Sequence, residues 1–377
     1  MERPLAARWA ATVFNKWTVA VPAIAAVALV LTWDRQLEVV AVVLTAVLLI
    51  GAVLAAVHHA EVVAHRVGEP FGSLVLAVSV TVIEVALIIT LMVGGEGSET
   101  LARDTAFAAV MITLNGIVGI SLLLGGLRHG LPRFNAEGAG AALAVVVTLV
   151  TLTLVLPSFT ISEPGDRFTE AQLAFVAIVA VLLYAGFVGT QTRGQRDFFL
   201  PVGFDGKTIR QPADDADGDG HADPPSNRTT AVSAALLLVS LVAVVGLAKA
   251  VSPTLEAGVA AAGIPYGFVG IVIAGLVLLP EGLAASRAAL RNRMQTSLNL
   301  GIGSAIATIG LTIPAIAVAS IWLPGPLTLG LGDVQLVLFG LTVVVSILTI
   351  VPGRATRLAG VVHLVLLLAF VFLAISP

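Results

Sequence analysis

EVVAHRVGEPFG at residues 61–72 returns as EAGVAAAGIPYG at residues 256–267, and both fit E-x6-G-x-P-[FY]-G. Each copy ends where a long apolar run begins. Each run then carries one acidic residue near its middle: Glu84, 14 residues after Pro70, and Glu281, 16 residues after Pro265. A duplicated turn that leads twice into an apolar segment with a central carboxylate is an internal repeat, and the surrounding composition says where it operates.

The chain has 377 residues, of which 58% are apolar and 11% charged. A soluble domain carries about 25% charged residues. With a mean hydropathy of +1.02, the chain reads as an all-α polytopic membrane protein that lives in a lipid bilayer. β-Barrel spans would alternate apolar and polar residues, and these runs do not. The formal charge of −3 offers no basic surface for nucleic acid, and no nucleotide-binding motif is present. There is no cysteine, which excludes disulfides and thiolate metal sites. Arg3, Arg8 and Lys16 precede the first apolar run as in a signal peptide. The run is long and lacks a clear small-x-small cleavage site, so it reads as a retained helix.

A spanning helix needs about 20 mostly apolar residues. Eleven segments qualify: 18–33, 37–59, 70–93, 104–126, 139–157, 171–190, 230–250, 266–289, 296–322, 334–351 and 355–375. With the N-terminus in the cytoplasm, 16 of the 20 Lys and Arg fall on the cytoplasmic side and 4 outside (Arg35, Arg103, Arg167, Lys249). That asymmetry obeys the positive-inside rule and supports the count, because one missed helix would scramble it. The C-terminus then lies outside. An inner-membrane location is expected.

The repeat turns this list into an architecture: one extra helix plus two inverted five-helix repeats. Residues 1–36 hold the extra helix, 37–190 the first repeat, 191–229 a polar cytoplasmic linker and 230–377 the second repeat. Five is odd, so the second repeat enters the membrane from the opposite side. Inverted repeats are common in secondary transporters, whose sites lie near the bilayer midplane. The linker contains Asp215-x-Asp217-x-Asp219-Gly220, the opening of an EF-hand loop. Position twelve is Ser226 where a bidentate Glu is required, so a solvated acidic linker is the better reading.

A charge at the centre of a membrane helix costs about 2.5–3.5 kcal/mol on insertion scales. Desolvation makes a buried Glu prefer a proton, and a bound cation reverses that preference. Competition of proton and cation for the same oxygens is the simplest physical basis for antiport, so Glu84 and Glu281 are the candidate cation, metal and proton ligands. The alternative is a pair of structural carboxyls hydrogen-bonded to neighbouring helices. Pro280 cannot donate to the carbonyl of Leu276. The freed oxygen beside Glu281 is able to ligate a cation, or the proline simply kinks the helix. Calcium takes 6–8 oxygens, so neutral groups must contribute. Asn299, Ser304, Thr308 and Thr312 in span nine, and Thr113 and Asn115 in span four, are available, although such residues also serve as helix–helix contacts. His58, Glu61 and His65 share one face of span two, as a proton relay or gate or as a solvated helix end. Glu256 repeats Glu61. His363 stands alone in span eleven and reads as a packing residue.

With these residues in place, the chain resembles the cation/proton exchanger family of the calcium/cation antiporter superfamily, in particular its bacterial sodium–potassium/calcium–proton branch. The segments that carry the resemblance are 68–88, 278–314 and, less specifically, 107–126. The resemblance implies alternate cation and proton binding at Glu84 and Glu281. Gly303-Ser304-Ala305 matches the family's Gly-Ser-Ala and implies a role for Ser304, and Asn115 is placed like a family Asn in span four. The family's Gly-Asn-x-x-Glu is absent: Val80-Thr81 precede Ile83-Glu84, and Val277-Leu278 precede Pro280-Glu281. Ala307 replaces a family Gln. These departures leave room for sodium or potassium. The expectation is therefore a calcium/proton antiporter with no cofactor. A sodium or potassium/proton antiporter is the main alternative and a channel a more distant one. An enzyme is not expected, since no HExxH, GxGD pair or DDxxD occurs.

Overall fold

A computed structural model describes residues 5–33, 35, 37–68, 71–92, 98–200, 202, 225–322 and 325–376. Most of the acidic linker, including Asp215, Asp217, Asp219 and Gly220, lies outside the described residues, as does Pro70. All regular elements described are helices. They form eleven rods: α1 (Leu5–Thr32), α2 (Val39–Val67), α3 (Phe71–Met92), α4 (Leu101–His129), α5 (Ala136–Ser158), α6 (Glu170–Thr192), α7 (Asn227–Ala261), α8 (Phe268–Leu290), α9 (Met294–Ala319), α10 (Asp333–Ile350) and α11 (Arg357–Ile375). Ten of them are long and apolar enough to cross a membrane, and α1 adds a shorter apolar stretch, Trp17–Thr32. In a bilayer every backbone group must be paired within its own segment, which a helix achieves.

The repeated motif is a helix stop followed by a helix start. Gly68 and Gly263, its shared glycines, have φ of +73° and +67°. A left-handed residue ends a helix, and glycine adopts it without a Cβ penalty. Gly68 N–H bonds back to Ala64 O, and Ile264 N–H reaches Val259 O. The long helices α2 and α7 thus end soon after Glu61 and Glu256, and α3 begins three residues after Gly68 and α8 five after Gly263. Glu84 is the fourteenth of the 22 residues of α3, and Glu281 the fourteenth of the 23 of α8.

The chain divides into two compact units. One comprises residues 1–91 and 224–258, that is α1, α2, α3 and all but the end of α7; the other comprises 92–223 and 259–377. The units do not follow the sequence repeats, because α7 packs with the first three helices. In that unit α1 touches both α2 and α7. Gly51 of α2 lies against Val21, and Gly246 of α7 against Leu29, so close that a Cβ at 246 would clash with Leu29 Cδ1.

In the second unit α4 and α9 are the interior rods. Their apolar windows are 72% and 61% buried, against 22% for α6 and α11. Small residues let backbones approach closely in membranes: a Cβ on Gly360 of α11 would lie 2.6 Å from Leu123 N of α4. At the water ends the helices are capped by side chains. Asn135 accepts from Glu137 and Gly138 N–H at the start of α5. Thr169 and Gln172 form a capping box on α6, and Thr356 accepts from Ala359 N–H on α11. Both interior rods carry a π segment, Ile112–Ile117 in α4 and Thr308–Thr312 in α9. These are the third helices of the two repeats. Single π turns are frequent at functional sites.

Candidate functional site

The two carboxylates belong to different units. In the first unit Glu84 is 2% exposed, between Ile83, Leu87 and Ile88, with buried Thr81 one turn earlier. On α2 the predicted face separates by depth. His58 is half-buried and its ring meets that of His59 edge-on at 5.4 Å, while Glu61 and His65 are exposed. Glu256 is half-buried near the end of α7 and accepts a hydrogen bond from Ser252 Oγ. His59, which the sequence analysis passed over, is buried, and its Nε2 donates to Thr18 O at 2.9 Å. That carbonyl lies four residues before Pro22 of α1, which has no N–H to give it. The signal that would have found His59 is this proline inside a membrane helix.

In the second unit Glu281 is half-buried on α8, directly after Pro280. The α4 π segment packs beside it. A Cβ on Gly282 would lie 3.7 Å from Ile117, and one on Gly301 of α9 would lie 3.3 Å from both Ile117 and Val118. Three helices that carry predicted site residues therefore meet at Ile117. Thr308 is buried where the α9 π segment opens, and Ser304 is half-buried one turn before it. Asn299 lies nearer the start of α9. Its Nδ2 donates to Phe199 O at 2.6 Å, and its Oδ1 accepts from Gln295 Nε2 at 2.8 Å. Gln295 Oε1 in turn accepts from Asn135 N–H at 2.7 Å. Asn299 is thus tied to the polypeptide around 195–199.

Asn115, fully buried in the α4 π segment, is held from two sides. Its Nδ2 donates to Thr342 Oγ1 of α10 at 2.9 Å, and its Oδ1 faces His363 Nδ1 of α11 at 3.0 Å. His363 is not the lone packing residue that the sequence suggested. Thr349 of α10 meets its other nitrogen at 3.1 Å. Because these residues lie some 230–250 positions from Asn115, no local spacing announces the cluster.

The second unit also contains an amphipathic cavity of about 480 Å³ among the starts of α4, α8 and α10 and the end of α11. Asp104, at its polar wall, accepts from Arg103 Nε at 2.8 Å, Thr100 Oγ1 at 2.9 Å and Gln335 Nε2 at 3.3 Å. Gly267, last residue of the repeated motif, faces this carboxylate so closely that a Cβ would lie 2.7 Å from Oδ2. The motif glycine thus makes room for the Arg103–Asp104 pair. Among the described residues no three His, Asp or Glu side chains gather as a metal centre. A cation held by either carboxylate would have to complete its shell with neutral oxygens.

The model of the sodium/calcium exchanger protein family matches residues 37–193 and 232–376. The chain belongs to that family. It is thus an integral membrane protein of a family of exchangers. It is 46% identical to the protein y4hA of Sinorhizobium fredii over 345 residues, covering 90% of each chain. It is 34% identical to the sodium-potassium/proton antiporter ChaA of Escherichia coli over 352 residues, 93% of each. Among solved structures, native YfkE superposes with a TM-score of 0.70 over 97% of this chain and 100% of its own, at 17% identity, a likeness of fold.

Proposed function

We propose that this protein is a secondary antiporter that exchanges a cation for protons by alternating access, with Glu84 and Glu281 binding the two competitively. The observation that carries the reading is the equivalent placement of these carboxylates, each fourteenth in a helix that follows the same stop–start motif. A buried Glu is neutral when protonated and anionic when it ligates a cation, so one site cannot hold both. Emptying one occupant by loading the other couples the fluxes. Ser304, Thr308 and the Leu276 carbonyl supply neutral oxygens in this reading, whereas Asn115, engaged by Thr342 and His363, holds the α4 π segment. Glu61, Glu256, His58 and His65 stand at helix ends where a proton would enter or leave.

Calcium is the proposed cation, in line with the family's exchange of sodium and calcium, and no resident cofactor takes part. A second reading, sodium or potassium against protons, is favoured by the 34% identity to a sodium-potassium/proton antiporter and by the missing Gly-Asn of the motif. We place the chain in the inner membrane with its N-terminus cytoplasmic and its C-terminus outside, on the 16-to-4 distribution of Lys and Arg. Uptake into everted vesicles tests the function. Cation addition should release protons from acid-loaded vesicles, and Glu84→Gln or Glu281→Gln should abolish the response; normal exchange by either variant would refute the assignment.

A further inference from the structure

The buried His363 is used by nothing in the scheme above, yet it touches the α4 π segment, which packs against the helix of Glu281. Its hydrogen atoms are fixed by its neighbours. Asn115 Nδ2 is directed at Thr342 Oγ1, so Asn115 Oδ1 faces the imidazole and must accept, which puts the ring proton on Nδ1. The hydroxyl of Thr349 is then the donor to Nε2. Asn115 lies inside the π segment, where the i→i+4 ladder is interrupted.

Access to this point is built in. Gly119 leaves room for the histidine, since a Cβ there would lie 3.0 Å from His363 Cβ. On the far side of the same π segment, Ile117 sits against Gly282, the residue after Glu281, and against Gly301 of α9. A ring that holds Asn115 from α11 therefore sets the position of Ile117, two residues on, and through it the packing of α8 at Glu281.

We propose that His363 is a positioning residue for exchange: it holds the α4 π segment in the shape against which Glu281 is placed, while touching neither cation nor transported proton itself. The inference rests on the reading of Glu281 as a cation ligand.

The test uses the full chain in liposomes with His363→Leu, His363→Asn and His363→Gln, read by cation KM and by deuterium uptake of the peptide covering 112–118. Asn places an amide nitrogen where Nδ1 stood, so it keeps the donor to Asn115; Gln reaches only the position of Nε2. His363→Leu and His363→Gln should raise KM about tenfold, which is about 1.4 kcal/mol. Uptake should rise in 112–118 but not along the rest of α4, and His363→Asn should restore both. Should the Leu variant not fold, the Asn–Gln pair carries the same contrast. Asn115→Ala should give the same KM shift, with no further rise when combined with His363→Gln. Unchanged KM and uptake, equal behaviour of Asn and Gln, or uptake raised evenly along α4 and α11 would overturn the proposal. If the wild-type protein exchanges no cation for protons, the functional reading falls, whereas the uptake pattern still decides whether His363 holds the segment.

Discussion

His59 Nε2 donates to the carbonyl of Thr18 at 2.9 Å, the acceptor that Pro22 deprives of its helical donor. A side chain of α2 thereby repairs the backbone of α1. Leaving such a buried group unmet costs about 1–3 kcal/mol. His59→Leu should lose that much in thermal unfolding of the detergent-solubilised protein. In a Pro22→Ala background, where residue 22 regains its N–H, the same change should cost clearly less. Equal losses in both backgrounds would remove the repair.

Proton–cation competition has a definite sign. Lower pH protonates Glu84 and Glu281 and withdraws cation ligands, so the apparent cation KM should rise as pH falls. Each competing proton contributes up to about tenfold per pH unit below the carboxyl pKa. Flux assays at fixed membrane potential check this, and a KM independent of pH would separate the proton from the cation site.

Tight backbone approach predicts where a methyl group is harmful. Gly360→Ala pushes a Cβ to 2.6 Å from Leu123 N, and overpacking of this kind costs about 1–3 kcal/mol. Gly186→Ala on α6 meets nothing within 4 Å and should be neutral. Melting temperatures of the two variants give the comparison.

At the cavity wall, Asp104 gathers three donors, one of them the Arg103 guanidinium. Asp104→Asn leaves that charge largely buried without its counter-ion, a loss of about 3 kcal/mol. Arg103→Met together with Asp104→Asn should recover part of it, measured by the same unfolding assay.

Much of the fold could be read before any coordinates. Apolar run length and Lys/Arg distribution located the eleven helices, and the repeated turn paired α3 with α8. The physical role of that turn emerged only with its backbone, where Gly68 and Gly263 adopt positive φ and Gly267 clears space for Asp104. The helices outran their apolar windows. α2 continues to Val67 and α7 to Ala261, because an amphipathic last turn is stabilised by packing and by water at its polar face, which a hydropathy window does not register. Glu84, Glu281, Ser304 and Thr308 were accessible from type and spacing. His59, Asp104 and the partners of Asn115 were not, since their roles come from residues distant in sequence. His363 in particular looked isolated because Asn115 and Thr349 reach it from two other helices.

The central claim, that the two glutamates couple cation to proton, is tested most directly by cation-dependent proton flux in liposomes for calcium, sodium and potassium in turn, with wild type, Glu84→Gln and Glu281→Gln side by side. The account predicts cation-driven proton movement in the wild type for at least one ion and none in either variant. Proton movement that survives either substitution, or cation flux that moves no protons in the wild type, would contradict it.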